Sequence, residues 1–240
     1  MISEIEFIRE HTSFWRTISP LSEDFVRQIN VKVLNRFQRP LKSNVSTSRR
    51  ALINEIGFEI FSHCISENLS PNAITIKELG DIVNQVCSNI ATLRNKAPHF
   101  KQEMQDLEVK ESKDIAQRLL DFFRDSKDMV IKPKFSGLGK LNTCEGDVFA
   151  DGTLYEVKAG GRPFRSLDLR QLILYLTLNR FSGQYDIQNL GLYNPRQGFH
   201  FLIPHNEFSM HFSGLSSEEL CHRVSYELTI ADLDRFGSYD

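Results

Sequence analysis

Asp151-Gly152, set between the alternating stretches GDVFA and TLYEV, constrains this chain more than any other feature. A two-residue type I′ turn needs positive φ at both central positions, which Asp and Gly tolerate, so the dipeptide predicts a tight β-hairpin. With these as the loop residues, Ala150 faces Thr153, Phe149 faces Leu154, Val148 faces Tyr155 and Asp147 faces Glu156. Two carboxylates then meet across the ladder, which is destabilising unless a cation lies between them. Strand alternation puts Lys158 on the same face as Glu156, so three polar groups converge.

The residues before the hairpin follow a helical period. Phe25, Ile29, Val33 and Phe37 predict a helix over 22–37, with Ser22 as N-cap and Pro40 beyond its end. Leu52, Ile56, Ile60 and Phe61 predict a second over 48–66, stopped by the Asn68 to Asn72 segment. A third, over 76–95 behind Thr75 as a cap, carries Ile82, Val83, Val86, Ile90 and Leu93. A fourth, over 110–125, carries Ile115, Leu119, Phe122 and Phe123. The pattern then changes. Met129 to Phe135 reads as a strand that Pro133 assigns to an edge, followed by the SGLGK turn, the hairpin, an apolar helix over 167–180, and the short strands NLGLYNP and FHFLIP. This order predicts an α/β (α+β) fold in which helices flank a small mixed β-sheet. The expected organisation is a helical region over 1–105, a core over 106–205 and a C-terminal peripheral segment over 206–240. Seven acids against two bases in residues 205–240 suit a helical cap with a frayed end.

Charge narrows the partners. The chain has 29 Lys and Arg against 31 Asp and Glu, so no global field gathers a polyanion and any nucleic-acid contact must be local. Residues 127–180 supply such a patch, with nine bases against six acids. Cys64, Cys87, Cys144 and Cys221 include no CxxC pair and read as buried thiols of a reducing compartment. The acidic amino terminus and the lack of a long apolar run predict a cytoplasmic protein without a membrane span. GLGK at 137–140 lacks the Walker pattern, and His200, His205 and His211 lack metal-site spacing.

Asp147, Glu156 and Lys158 at one strand edge suit hard oxygen ligation of Mg²⁺ or Mn²⁺ beside a lysine that orients water, the chemistry of phosphodiester hydrolysis. Without a metal, the two acids would pair with neighbouring arginines and Lys158 would be an ordinary edge-strand lysine. Gln171, inside LRQLILYLTL, needs hydrogen-bond partners once buried. In the loop before it, Gly160 and Gly161 allow close backbone approach, and Arg162, Arg165 and Arg170 form a basic rim for phosphate, while Tyr175 packs against the sheet with its hydroxyl towards the cleft and suits a core role as well as a nucleic-acid contact. Arg49 and Arg50, near a helix start, suit either backbone contact or solvent exposure.

Gly146-Asp147, Glu156-Val157-Lys158, Gln171 and Tyr175 together resemble the PD-(D/E)xK nuclease superfamily, most closely its RecB-like branch. The resemblance covers roughly residues 110–200 and implies a restriction-endonuclease-like core that cuts DNA with Mg²⁺ or Mn²⁺. It implies that Asp147, Glu156 and the Val157 carbonyl hold the metal, that Lys158 assists the water, and that Gln171 holds the geometry beside Tyr175. A glutamate from the helix before the first strand completes such sites. Glu111, four residues before Ile115, fits best, with Glu108 and Glu55 as substitutes. Gly146 stands where the family has proline. Chains that join helices to such a core are often restriction or anti-phage components. The competing reading is a non-catalytic nucleic-acid-binding or assembly module. A homodimer would place two sites on a duplex, and the N-terminal helices could instead hold a partner protein.

Overall fold

The hairpin forms in the expected register. The computed structural model, which describes residues 1–94 and 103–236, pairs Val148 with Tyr155, Phe149 with Leu154 and Ala150 with Thr153. Asp151 and Gly152 have φ of 46° and 76°, as a type I′ turn requires. The Asp151 carboxylate also accepts the Lys127 and Asp128 N–H groups at 3.1 and 3.0 Å, which anchors the turn to the preceding loop. A β-carbon at residue 152 would meet nothing closer than 3.5 Å, so the turn depends on backbone freedom alone. Gly152→Ala is therefore expected to lower stability by about 1–2 kcal/mol, read as a shift in the urea midpoint.

In chain order the described elements are α1 (Glu4–Glu10), α2 (Thr12–Ile18), α3 (Ser22–Gln28), β1 (Asn35–Arg36), α4 (Arg50–Glu67), α5 (Ile76–Arg94) and α6 (Asp106–Phe122). There follow β2 (Met129–Ile131), β3 (Lys134–Phe135), β4 (Cys144–Glu145), β5 (Val148–Ala150), β6 (Thr153–Val157), α7 (Ser166–Ser182), β7 (Asn189–Asn194), β8 (Phe199–Pro204), α8 (His205–Ser213) and α9 (Ser217–Phe236). The main sheet has the order β1-β8-β7-β6-β5-β2, and β3 pairs with β4 separately. Only β6 and β7 are parallel among the described pairs, with α7 as their crossover. The fold is thus a mixed α/β arrangement with a small mixed sheet between helices.

Alternation along the strands divides the core between the two faces of the sheet. Leu154, Leu190, Leu192 and Phe201 pack with α7 and with Phe7, Trp15 and Phe25 of the first three helices. Val148, Ala150 and Tyr193 pack on the other side with Leu52, Ile56 and Ile60 of α4 and Ile115 and Leu119 of α6. α7 is apolar around most of its circumference because it lies between the sheet and the outer helices α1, α3 and α9. Among the described residues, no helix is long and apolar enough to cross a membrane.

Several expectations change. The helix over 22–37 stops at Gln28, passes through a π-helical turn at Ile29–Val33 and becomes the edge strand β1. Its cap position is Leu21 rather than Ser22. The cause lies at Asn30, whose amide donates to the Phe164 carbonyl at 2.9 Å and accepts the Phe164 N–H at 3.0 Å, with β-branched residues on both sides. The strand over 129–135 is broken into β2 and β3 by Lys132, at φ 55°, and Pro133. β2 does occupy the sheet edge. α8 and α9 are not a peripheral cap, since Phe208, Phe212, Leu220, Val224 and Leu228 are fully buried in the α7 cluster. The expected frayed end at 237–240 lies outside the described residues.

Candidate active site

The ladder ends at Val148 and Tyr155, and the side chain of Asp147 takes over from the backbone. Its Oδ2 accepts the Val157 N–H at 2.6 Å, so the acid itself ties the two arms of the hairpin. From β6, Glu156 is 3% exposed. Its Oε1 accepts from Lys158 Nζ at 2.6 Å, whereas Oε2 is buried with no N–H or hydroxyl donor among the described residues, and the Asp147 carboxyl lies within hydrogen-bonding reach of Glu156. Lys158 Nζ also donates to Gln171 Oε1 at 2.8 Å, from the first turns of α7. That bond orients the amide, whose Nε2 donates to Glu4 Oε1 at 2.6 Å and to Tyr175 Oη at 2.9 Å. The Tyr175 hydroxyl in turn faces Glu4 Oε1 at 2.8 Å and the Glu145 carbonyl at 3.0 Å. A continuous relay therefore runs from Glu4 in the first helix, through Gln171 and Lys158, to Glu156 in the sheet.

The four-residue spacing of Gln171 and Tyr175 puts both on one face of α7, and burial of that face makes every polar atom on it need a partner. Gly146 fits the same logic of space. A β-carbon there would meet Phe135 Cε2 and Pro133 Cγ, each at 3.3 Å, so a small residue leaves room for the chain to turn into Asp147.

Burial dominates the electrostatics. It lifts Glu156 well above the usual glutamate range, and the facing Asp147 adds to the rise against the pull of Lys158. Burial also raises Asp147, although Lys158 and the Val157 N–H oppose it. For Lys158, burial acts downwards, but the carboxylates of Glu156, Asp147 and Asp168 outweigh it and push the ammonium up to about 12. Glu4 and Glu55 are raised first by burial and then by Asp147, with Lys158 opposing both. Four acids thus crowd Lys158, with Lys132 as a further cation acting on Asp147 and Glu55.

A cleft of about 240 Å³ opens onto this cluster. Asn54, Glu55 and Phe58 of α4 line one side, and Asp147, Val157 and Lys158 the other. Among the described residues, no three His, Cys, Asp or Glu side chains close on one point that a metal could take. A hard cation such as Mg²⁺ keeps several waters and needs only one or two carboxylates from the protein. The buried Glu156 Oε2 beside the raised Asp147 carboxyl fits that requirement.

Of the residues expected from the sequence, Asp147, Glu156, Lys158 and Gln171 are brought together, with Val157 between them. Glu111 is not. It forms a buried ion pair with Arg196 and accepts from the Ser43 hydroxyl at 2.9 Å, away from the cleft. Glu108 is held by Arg49 at 2.7 and 2.9 Å. Glu55, from α4, is the acid that faces Asp147. The basic rim also changes. Arg162 lines the cleft but is held by both Asp168 oxygens at 2.8 and 3.0 Å. Arg165 is exposed. Arg170 turns inward, with Nη1 on the Ile8 carbonyl at 3.2 Å and its guanidinium 5.6 Å from the Trp15 ring centre. Tyr175 is 1% exposed and stacks on Phe135, so it holds Glu4 and Gln171 rather than a nucleic acid. Glu4 was not anticipated. The Ser3 to Glu6 capping box signals the helix that carries it, but no local pattern singles out Glu4.

The sequence matches no protein-family model and no curated protein.

Proposed function

We propose that this cleft hydrolyses phosphodiester bonds of DNA, on a restriction-endonuclease-like core, with Mg²⁺ or Mn²⁺ as cofactor. The observation that carries this reading is Lys158 Nζ, fixed at 2.6 Å from Glu156 and 2.8 Å from Gln171 beside a desolvated carboxylate pair that opens to a cleft. Asp147 and Glu156, with the Val157 carbonyl, would hold the cation, whose chemistry there is to acidify the attacking water and offset phosphate charge. Lys158 stays protonated at neutral pH, because its neighbours push it up to about 12. It therefore donates to the water and to the phosphate oxygen that gains charge, and it does not take the water's proton. Glu55, on the opposite wall and raised by burial, is placed to accept that proton as the water oxygen bonds to phosphorus and the phosphorus–oxygen bond of the leaving nucleotide breaks. Gln171, held by Glu4 and Tyr175, keeps the ammonium aimed. The four free cysteines suit the reducing interior in which such an enzyme of restriction or phage defence would work.

The test is digestion of linear, circular and single-stranded DNA with Mg²⁺ or Mn²⁺, set against Asp147→Ala. Cleavage is expected only with a divalent ion, and Asp147→Ala is expected to lose it by about a hundredfold or more. DNA binding that needs no divalent ion, with no cleavage of any substrate, would instead identify a binding module.

A further inference from the structure

Four of the arginines around the cleft already have partners. Arg49 is bound to Glu108, Arg162 to Asp168, and Arg196 to Glu111, Asn54 and the Ala159 carbonyl, while Arg170 faces Ile8 and Trp15. Arg50 differs. It is only partly exposed, yet no group among the described residues accepts from its guanidinium. Its Nε, like that of Arg170, is shut off from solvent with no hydrogen bond among the described residues. Nε itself has no surface for an outside group to reach, but the Nη groups at the partly exposed end of the side chain lack the ion pairs that hold Arg49, Arg162 and Arg196, which leaves them open to an acceptor from outside the chain.

Its surroundings identify the acceptor. Arg50 Nη1 lies 4.0 Å from the point where a β-carbon on Gly161 would sit. The guanidinium therefore rests against the bare backbone of the loop that leaves Lys158. Four residues further along α4, on the same side of the helix, is Asn54, which lines the cleft next to Glu55. The cleft floor is acidic, and its lining arginine, Arg162, is neutralised by Asp168. A polyanion that enters needs a free cation at the rim. A planar guanidinium whose two Nη groups are open matches paired phosphate oxygens.

We propose that Arg50 and the Gly160-Gly161 loop form a phosphate subsite, which grips a backbone phosphate of the nucleic acid next to the one positioned at Asp147 and Lys158. The subsite rests on the nuclease reading for the place of the scissile phosphate, but not for binding itself. The experiment measures DNA binding by fluorescence anisotropy over a salt series, with Asp147→Ala as the non-cutting parent and Arg50→Ala or Arg50→Lys added. Arg50→Ala is expected to weaken binding about tenfold and to reduce the salt slope by about 1. Arg50→Lys is expected to keep the slope but recover only part of the affinity, because an ammonium cannot grip two oxygens in a plane. In the cutting protein, Arg50→Ala raises KM with kcat little changed.

Unchanged affinity and salt slope in Arg50→Ala overturn the subsite. Should that variant fail to fold, oligonucleotides with one phosphate at a time replaced by neutral methylphosphonate decide the matter with the Asp147→Ala parent and its Arg50→Lys partner. One position should weaken the parent and affect Arg50→Lys less, and equal losses at every position in both proteins overturn the proposal. A protein that never cuts DNA but still loses affinity with Arg50 would sink the nuclease reading and leave the subsite standing.

Discussion

Lys158→Ala is expected to reduce divalent-dependent DNA cleavage by about a thousandfold, the scale at which a preorganised donor to developing charge is missed. Two consequences come from one atom. Lys158 Nζ is the cation within reach of Glu156 and Gln171, and its loss leaves the Asp147–Glu156 pair desolvated with only the weaker pull of Lys132 on Asp147. In the folded protein its pKa lies near 12, above the ordinary lysine value of 10.5. The ammonium therefore adds stability that is fully present below pH 10.5 and is lost as pH rises through about 12. At neutral pH the substitution removes that contribution. The expected loss is on the order of 2 kcal/mol, less than the roughly 3–5 kcal/mol of a fully buried pair, because the lysine side chain is 20% exposed and the raised carboxylates can take up a proton. Urea midpoints and initial cleavage rates, measured on the same preparation, separate the two effects. A folded Lys158→Ala protein that cuts at the parent rate removes lysine from the mechanism. Glu4→Gln, which keeps the shape but weakens the acceptor for Gln171 and Tyr175, should lose less activity than Lys158→Ala.

Arg196→Met is expected to destabilise the fold strongly, by about 3–5 kcal/mol. Arg196 is 2% exposed, and its guanidinium binds Glu111, Asn54 Oδ1 and the Ala159 carbonyl. It thereby ties the β7–β8 turn to α4, α6 and the residue after Lys158. Removal strands the Glu111 carboxylate in the interior. A double-mutant cycle makes this specific. Glu111→Gln alone should cost less than Arg196→Met, and Glu111→Leu with Arg196→Met should recover part of the loss, since apolar replacement of both partners removes the stranded charge. Cleavage by Glu111→Gln should fall no further than its folded fraction. A larger fall, with the fold intact, would return Glu111 to the chemistry.

These cases show what local spacing reveals and where it stops. The register from Asp147 to Lys158 depended on a two-residue turn and strand alternation, both fixed by neighbours along the chain. Gln171 and Tyr175 needed only helical period. The choice among Glu55, Glu108 and Glu111 was different, because all three lie on helices that cover the same face of the sheet. Which acid meets Asp147 is decided by how α4 and α6 stack and by which arginine captures the others: Arg196 takes Glu111 and Arg49 takes Glu108. Those partners lie 85 and 59 residues away in sequence, beyond any periodic signal. Asn30 is similar. Its bonds to Phe164 span 134 residues and convert the end of a well-patterned helix into an edge strand.

The relay through Gln171 also sets when the proposed site is complete. Glu4 and Tyr175 are 171 residues apart in the chain, and Lys158 and Gln171 lie between them. The β5–β6 hairpin can close early, since its partners are sequence neighbours, whereas the contact with Glu4 bears the entropy of a very long loop. A nascent chain leaving the ribosome therefore carries the hairpin with Asp147 and Glu156 before it carries an ammonium held by Gln171. If the proposed nuclease reading holds, competence to cut should arrive together with global cooperativity, and a half-made or locally unfolded molecule would pose little danger to nearby DNA.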